Sequence, residues 1–397
     1  MPSSRVRPWL SIIGIGEDGL AGLSLASRTA LDAAGIVFGG ARHLALANIN
    51  ERGRPWQVPF DISPVLALRG QSVAVLVSGD PFWFGAGASL ARHLEAGEWT
   101  AYPAPSTFSL AAARLGWRME ETACLGLHAA PLERLVPLLS RGARIICLVR
   151  DGEAVPALCQ WLANQGWGGT AVIVGSGLGG PNVSIERFAA VSRVPSKYAA
   201  PVAVALEAKG RQGLPRASGL ADSLFMHDGQ ITKRPIRALA LSALAPRPGE
   251  RLWDIGAGSG SISVEWALAG GMATAIEQHV ARAQNIRANA ERFGIAHRIA
   301  VIEGSAPDAL TGLDAPAAVF VGGGLTAASF DALWHVLPQG TRLVAHAVSL
   351  ETQALLVDLQ ARHAGDLDRF EMSHAQPLGR MRSWQADRPI VQWTTSK

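Results

Sequence analysis

The chain has 397 residues, of which 48% are hydrophobic and 17% charged, and its formal net charge is +4. This length and hydrophobic content predict two domains, or three, each with a full core. The basic residues are almost all arginines, and they are scattered, which argues against nucleic acid as a partner. Scattered arginines suit a small substrate rich in carboxylates, because a guanidinium binds a carboxylate through two hydrogen bonds.

The cysteines and the apolar runs indicate a soluble, cytoplasmic protein. Cys124, Cys147 and Cys159 are odd in number and form no C-x-x-C pair. No histidine cluster has the spacing of zinc ligands, so we expect no metal. The apolar run near the N-terminus is too short to span a membrane, and no other stretch reaches 18 uninterrupted apolar residues.

The N-terminal half alternates strands with helices, which is typical of parallel α/β sheets. Three predicted strands run directly into loops: Trp9–Ile15, Val73–Val77 and Trp99–Tyr102. The loops that follow them are Gly14–Leu20, Ser78–Gly85 and Pro103–Phe108. Loops at the carboxyl ends of parallel strands are where such sheets bind ligands. Each loop alone is also an ordinary turn, so the ordered set carries the prediction.

That ordered set resembles the tetrapyrrole (corrin/porphyrin) methyltransferase family, in particular the subgroup that methylates C5 of precorrin-6B. The motifs are Gly14-Ile15-Gly16, SGDPFWFG from Ser78, PAPSTFSLAAARLGW from Pro103 and LGLHAAP from Leu125. The resemblance covers residues 8–205 and implies a two-lobed α/β domain that binds S-adenosylmethionine (SAM). The SAM contacts it implies are Gly79, Asp80, Trp83, Ser106 and Thr107. The family's first loop reads Gly-x-Gly-Pro-Gly-Asp, whereas here Glu17 replaces the proline and the next glycine is shifted to Gly19.

A polar, glycine-rich stretch at residues 206–219 predicts a linker, with a second domain over residues 220–397. The second domain opens on a predicted helix with Pro235 in its first turn. Thr232 is either the N-cap of this helix or a ligand contact. Three basic residues beside it, Lys233, Arg234 and Arg237, are either solvated or form a carboxylate-binding edge.

The segment Arg251–Trp266 predicts a short strand, a glycine turn and an apolar helix. Glycines accept a left-handed backbone and let a ligand lie against bare peptide, and the helix N-terminus offers free N–H groups. The candidate binding residues of the turn are Asp254, Gly256, Ala257, Gly258, Ser259 and Gly260. The next strand ends in Glu277, 23 positions after Asp254, which is the distance expected for a ribose-binding acid. The alternatives are a glycine turn that serves packing only and a surface carboxylate.

Together these segments resemble class I SAM-dependent methyltransferases, which implies a Rossmann-like fold. The predicted helix that opens the second domain and the motif FVGGG at Phe320–Gly324 narrow the resemblance further. They resemble the C15-methylating, C12-acetate-decarboxylating domain of the same pathway. In that reading Ser305 and Ala306 flank the adenine of SAM. The strand-end glycines Gly322, Gly323 and Gly324 allow close approach of the substrate. At the C-terminus, strands are predicted over Phe370–Ser373 and Ile390–Thr394, with an exposed loop at Ala375–Trp384 between them.

Methyl transfer to an electron-rich tetrapyrrole carbon requires alignment more than a base. For the acid–base steps of decarboxylation, Glu265 and His346 are the candidates. Glu265 equally suits the positive end of its helix, and His346 equally suits a buried, satisfied core position.

The two halves together resemble the fused two-domain methyltransferases of cobalamin synthesis. The resemblance implies two SAM sites per chain, methylation of precorrin-6B at C5 and C15, and loss of the ring C acetate carboxylate to give precorrin-8X. It also implies a homo-oligomer, since both families assemble. Two alternatives are a single-site SAM methyltransferase with an inactive tetrapyrrole-binding N-terminal module, and a SAM-sensing scaffold without activity.

Overall fold

The computed structural model describes residues 8–192, 194 and 198–397. The chain divides into two compact units. The first extends to Gln212 without Glu133–Pro137, and the second comprises Gly213–Lys397 together with Glu133–Pro137. In the described part of the chain, no helix is long and apolar enough to cross a membrane.

The first sheet of the first unit is entirely parallel, with the strand order β3-β2-β4-β1-β5. Its strands are β1 Leu10–Ile15, β2 Ile36–Gly39, β3 Gly53–Pro55, β4 Val73–Ser78 and β5 Trp99–Tyr102. Five of the six residues of β4 are buried, as expected for a parallel strand covered on both faces. Because β1 lies between β4 and β5, the three loops predicted to carry a site leave the same edge of the sheet.

The second sheet of this unit is mixed, with the order β6-β7-β10-β8-β9. Its strands are β6 Thr122–Gly126, β7 Arg144–Leu148, β8 Ala171–Ser176, β9 Ser184–Ala189 and β10 Val202–Glu207. Only β6 and β7 pair in parallel. The sequence did not predict β9 because this edge strand is largely exposed and has no apolar alternation. Two sheets in one unit agree with the two-lobed α/β architecture implied by the resemblance.

The second unit contains a seven-stranded sheet with the order β13-β12-β11-β14-β15-β19-β16. Its strands are β11 Arg251–Ile255, β12 Met272–Glu277, β13 Ile299–Glu303, β14 Ala318–Val321, β15 Arg342–Ala347, β16 Asp366–Phe370 and β19 Ile390–Ser396. The first five strands of this order are parallel, and the last two pair antiparallel. The strand order reverses between β11 and β14, and a ligand crevice forms at such a point. The predicted Rossmann-like fold is confirmed.

The α-helices pack around these sheets. Their bounds are α1 Leu25–Ala33, α2 Ala41–Leu46, α3 Ser63–Leu66, α4 Gly87–Ala91, α5 Thr107–Leu115, α6 Ala154–Asn164, α7 Arg234–Leu244, α8 Ser261–Leu268, α9 Val280–Arg292, α10 Ala327–Val336 and α11 Leu350–His363. Helix α8 is buried from Ser261 to Ala267. A helix that is buried on all faces belongs to a core, and α8 holds the glycine turn that precedes it at the centre of the unit.

The segment before the last strand differs from the prediction. The loop expected at Ala375–Trp384 is a two-stranded hairpin formed by β17 Ser373–Leu378 and β18 Met381–Ala386. The strand expected at Phe370–Ser373 instead lies one segment earlier, as β16. Every residue of β17 and β18 is exposed, so the strands lack the alternation of a half-buried sheet and the pattern was not recognisable.

Candidate functional sites

The second unit has a cavity of about 590 Å³ at the carboxyl ends of its central parallel strands. This volume lies in the range of small-molecule sites, roughly 300–1,000 Å³. Of the predicted residues, those that line it are Thr232, Lys233, Gly256, Ala257, Gly258, Glu277, Ser305, Ala306, Gly322, Gly323, Gly324 and His346. The structure therefore brings together residues that are up to 114 positions apart in the sequence, from Thr232 to His346, at the place where the strand order reverses.

The floor of the cavity is the glycine turn after β11. Gly256, Gly258 and Gly260 have φ values of +67°, +57° and +71°, a conformation that favours glycine. A Cβ on Gly260 would lie 2.7 Å from a side-chain carbon of Ile286, so this glycine is also needed for packing against α9. Asp254, Ser259 and Gly260 are buried in or under the turn and do not line the cavity.

Glu277 ends β12 and faces the cavity from beside the turn. Its Oε2 accepts a hydrogen bond from the Gly258 amide at 2.9 Å, and its Oε1 accepts one from the His279 amide at 2.9 Å. Both bonds fix the carboxylate, which is only 4% exposed as a residue. Each carboxylate oxygen has two acceptor positions, so both oxygens retain capacity for a pair of hydroxyl groups. The geometry fits the ribose-binding role predicted for Glu277.

Asp254 supports the turn from below. Its Oδ2 accepts hydrogen bonds from the Ser263 amide at 3.1 Å and from the Ser263 hydroxyl at 2.6 Å, which anchors the first turn of α8. Its Oδ1 is buried without a partner among the described residues. Burial raises the pKa of Asp254 to about 6, and the nearby Glu277 charge adds to this rise, while the Ser263 hydrogen bonds oppose it.

Gln230–Lys233 line the cavity, and two side chains of α9 hold the residues that lead into this segment. Asn289 accepts from the Met226 amide at 2.8 Å and donates to the Met226 and Ser259 carbonyls at 3.0 and 2.9 Å. Arg282 pairs with Asp228 at 2.8 Å and itself lines the cavity. Sequence reasoning missed both residues, although a fully buried Asn on the apolar face of α9 is a recognisable signal.

Lys233 is the N-cap of α7, and it makes no side-chain cap hydrogen bond. The prediction of Thr232 as N-cap is therefore wrong, and its side chain is left at the cavity wall. Lys233 also lines the cavity, whereas Arg234 is exposed and lies outside the lining.

The predicted binding role of Arg237 and the predicted acid–base role of Glu265 are both wrong, since neither residue lines the cavity. Arg237 is fully buried, and its Nε donates to Glu265 at 2.6 Å. The Glu265 carboxylate also accepts the amides of Gly219 and Leu220, at 2.6 and 2.9 Å. A buried charge needs such partners. Here the hydrogen bonds of Glu265 and Arg237 hold the entry segment, the residues Gly219–Leu220 ahead of α7, against α8. Arg237 is thus not a substrate-binding edge, and Glu265 is not placed for acid–base catalysis.

His346 lies on β15 at the back of the cavity. Its Nε2 is 2.9 Å from Oε1 of Gln392 on β19, and its ring meets the edge of Phe320 at 5.0 Å between centroids. Burial lowers the pKa of His346, an effect that the Gln392 hydrogen bond partly opposes. The imidazole is therefore neutral near pH 7, in contact with the space where a substrate would lie.

The first unit has a much smaller cavity, of about 40 Å³, at the edge where β1 and β4 end. It is lined by the first glycine loop, by Ser78 and Gly79, and by the loop before α5. Gly79 has φ +58°, and a Cβ there would lie 2.9 Å from the Pro105 carbonyl oxygen. The predicted residues Gly79 and Thr107 line this cavity.

The other predicted residues of the first unit have local roles in the loops. Asp80 accepts a hydrogen bond from the Phe82 amide at 2.8 Å and so closes the Gly-Asp-Pro turn. Ser106 is the N-cap of α5 and accepts from the Ser109 amide at 3.1 Å. Trp83 packs on Phe108 with ring centroids 5.0 Å apart. None of the three lines the cavity, so they shape the loops that do.

Two family models match the chain: tetrapyrrole (corrin/porphyrin) methylases over residues 10–190, and the precorrin methyltransferase domain over residues 223–397. A precorrin-6Y C(5,15)-methyltransferase (decarboxylating) from Sinorhizobium sp is 44% identical over 403 aligned residues, covering 99% of this chain and 97% of the relative. The chain belongs to the precorrin-6Y C(5,15)-methyltransferase (decarboxylating) family.

Another member of the precorrin-6Y methyltransferase family, from Mycobacterium tuberculosis (strain CDC 1551 / Oshkosh), is 38% identical, covering 97% of this chain and 99% of the relative. The crystal structure of the C-terminal domain of the Rhodobacter capsulatus enzyme is 53% identical, covering 46% of this chain and 100% of that domain, with a TM-score of 0.46. As a member of this family the chain is a methyltransferase, so the predicted family and enzyme class are confirmed, and the scaffold alternative is wrong.

Among the described residues, no group of three or more His, Cys, Asp or Glu side chains is arranged to hold a metal ion. The donors at the larger cavity are instead backbone amides, one fixed carboxylate and basic side chains. Such a set fits SAM, because SAM presents hydroxyls, a carboxylate and a cationic sulfur.

Replacing Glu277 by Gln should weaken SAM binding to the second unit. The amide group of Gln would face at least one of the amide donors of Gly258 and His279, and the ribose would lose a charged acceptor. A lost charged hydrogen bond costs about 1.5–3 kcal/mol, which corresponds to roughly 10- to 150-fold in affinity. Calorimetric titration with SAM measures this. Glu303→Gln is the matched control, since Glu303 ends the neighbouring strand β13 in register with Glu277 but is not part of the cavity.

Replacing Asp254 by Asn should change how stability depends on pH. The pKa of Asp254 is higher in the folded chain, about 6, than its ordinary value of 3.8. The wild type therefore loses stability as pH rises through this window, and the neutral variant does not. Relative to wild type, the variant should gain about 1–3 kcal/mol between pH 4.5 and 8. Urea unfolding at both pH values tests this, with the exposed Asp314→Asn as control. An equal difference at both pH values would refute it.

Proposed function

We propose that the chain methylates precorrin-6B at C5 and C15 and removes the ring C acetate carboxylate as CO2, giving precorrin-8X for cobalamin synthesis. The observation that carries the proposal is the similarity of nearly the full chain to decarboxylating C(5,15)-methyltransferases. Its architecture adds support, since the second unit has a cavity of about 590 Å³ at the carboxyl ends of parallel strands, and the first unit has a much smaller cleft at the same edge of its parallel sheet. SAM supplies the methyl group as an electrophilic carbon on a positively charged sulfur.

We propose one SAM site in each unit. In the second unit, the bare backbone of Gly256–Gly258 receives the amino acid end, and Glu277 accepts the ribose hydroxyls. Ser305 and Ala306, beyond β13, lie along the wall for the base. In the first unit, the Gly79 turn and the Thr107 loop frame the site.

The reactions divide between the units in this proposal. The tetrapyrrole methylase domain, residues 1–205, methylates C5. Residues 220–397 methylate C15 and decarboxylate. The linker predicted at residues 206–219 starts later in the structure, because β10 continues to Glu207 and the change of unit comes after Gln212. The change of unit after Gln212 supports this division, as do the ranges of the two family models.

For decarboxylation we propose as the proton-transfer group His346, which lines the same cavity as the strand-end glycines Gly322–Gly324. Gln392 Oε1 accepts from Nε2–H of the imidazole, which leaves Nδ1 as the proton acceptor of the ring. Lys233 and Arg282, at the same cavity, attract the carboxylates of the substrate. The protein therefore aligns the tetrapyrrole, excludes water and moves a proton, while the conjugated ring takes up the electron pair released with CO2.

We also propose that the chain forms a homo-oligomer through the β17–β18 hairpin. Leu378, Met381 and Trp384 are 65%, 77% and 76% exposed, and all three lie on this hairpin. Leu378 and Met381 are cross-strand partners on one face of the hairpin, and Trp384 lies on the other face, so both faces offer exposed apolar area for protein association. The hairpin strands pair only with one another in the described structure.

Separate variants should divide the two methylations. Gly258→Arg places a side chain at φ +57°, with its Cβ 3.2 Å from the Gln230 carbonyl oxygen, and fills the second-unit cavity. Gly79→Arg does the same at the smaller cavity. By mass spectrometry, Gly258→Arg should add a methyl group at C5 but neither methylate C15 nor decarboxylate. Gly79→Arg should methylate C15 and decarboxylate but should not methylate C5. Gly249→Arg and Gly116→Arg are controls, because both also have positive φ but open space around them.

The same variants count the SAM sites. Titration of the wild type should give two SAM per chain, and each cavity variant should give one. A wild-type value of one, lost in Gly258→Arg and kept in Gly79→Arg, would instead support the single-site methyltransferase with an inactive N-terminal module.

Trp384→Ser together with Met381→Ser should reduce the oligomer to a smaller species. The reason is the loss of apolar area from the proposed contact, about 25 cal/mol for each Å². Analytical ultracentrifugation across a concentration series measures the mass. Val58→Ser, which removes an even more exposed apolar side chain from the first unit, is the control. A wild type that is monomeric at all concentrations would contradict the proposal.

A further inference from the structure

Arg42 lies at the rim of the first-unit cavity and pairs there with a carboxylate. One end of its guanidinium pairs with Glu17 of the first glycine loop. The other end donates to the Ser78 hydroxyl at 3.0 Å and lies 2.9 Å from Nε2 of His43. Arg42, Glu17 and Ser78 all line the cavity, beside Gly16 and Gly79. A cation–carboxylate pair is thus built into the wall of a ligand site.

The Ser78 and His43 contacts hold one end of the fork in place. The His43 Nε2 also lies 2.8 Å from the Ser78 hydroxyl, so the three side chains form a closed set. Burial, with a smaller contribution from the Arg42 charge, lowers the pKa of His43 to about 4. A neutral His43 can accept a hydrogen bond from the guanidinium without repelling it. The set therefore orients Arg42 with its remaining N–H groups toward Glu17.

Glu17 belongs to the loop that departs from its family's pattern, and the surrounding chain is adapted to it. Its side chain is 19% exposed, and a Cβ on Gly180 would lie 2.7 Å from the Glu17 Cβ, so that glycine makes room for the loop. The side chain of Arg42 is 39% exposed. The pair is partly exposed, and a ligand carboxylate that replaces Glu17 would give the guanidinium an equivalent partner, so the exchange leaves Arg42 paired.

We propose that Arg42 is a carboxylate-binding residue of the first-unit site, and that Glu17 occupies its guanidinium until a ligand carboxylate replaces it. The exchange conserves charge, because one carboxylate takes the position of another. Two carboxylates are available there, that of the amino acid end of SAM and those of the tetrapyrrole side chains. The inference rests on the proposed function, in which this cavity is the C5-methylating site.

The test uses the full chain carrying Gly258→Arg, so that only the first-unit site binds. Arg42→Ala, Glu17→Gln and the control Arg118→Ala, which removes an exposed ion pair of the same unit, are compared in this background. S-adenosylhomocysteine and 5′-methylthioadenosine, which lacks the carboxylate, are titrated by calorimetry. The KM for precorrin-6B is measured from C5 methylation.

Arg42→Ala should weaken binding of one carboxylate ligand by about tenfold or more, and Glu17→Gln should strengthen it, because a competitor is removed. A loss for S-adenosylhomocysteine but not for 5′-methylthioadenosine assigns the SAM carboxylate. Unchanged nucleoside binding with a raised KM assigns the tetrapyrrole.

Unchanged values in Arg42→Ala would overturn the inference. So would parallel losses in Arg42→Ala and Glu17→Gln with a lower melting temperature, since these describe a structural ion pair. If the Gly258→Arg parent binds no S-adenosylhomocysteine and forms no C5 product, the proposed function fails and the inference fails with it. If the parent is active and Arg42→Ala and Glu17→Gln bind and react as the parent does, the inference fails while the proposed function stands.

Discussion

The carboxylate of Glu277 joins the parts from which the larger site is built. It ends β12, accepts the amide of Gly258 in the turn after β11, and accepts the amide of His279 ahead of α9. One side chain therefore fixes the glycine turn against the neighbouring strand end while remaining at the cavity surface. The left-handed glycines allow this, because a Cβ in the turn would occupy space needed by the ligand or by Ile286.

Below this connection, the second unit uses its buried charges for structure. Asp254 anchors the start of α8 through Ser263, and its own ionisation is opposed by burial. Arg237 and Glu265 tie the entry segment to α8 with their hydrogen bonds fully used. The groups left facing the cavity are those suited to a ligand, chiefly Lys233 and the neutral His346. Position relative to the strand ends thus decides which charged residues are structural and which face the ligand.

The two units have cavities at equivalent places in their sheets but line them with different side chains. Both place loops at the carboxyl ends of parallel strands, where backbone amides and short side chains are exposed to a ligand. The second unit encloses about 590 Å³ and contains a fixed carboxylate, whereas the first has a smaller cavity with the Glu17–Arg42 pair at its rim. Basic side chains line both cavities, Lys233 and Arg282 in the second unit and Arg42 in the first.

The sequence by itself determined the fold class, the family and the local glycine turns, because strand–turn–helix patterns and their spacings depend on neighbouring residues. It also placed Glu277, through its distance from Asp254. Only the tertiary structure separated Arg237 from Lys233, since burial and long-range pairing depend on which elements pack together. The same holds for Asn289 and for the exposed β17–β18 hairpin. It also holds for the contact between Glu17 and Arg42, because a contact between distant residues produces no periodic pattern in the sequence.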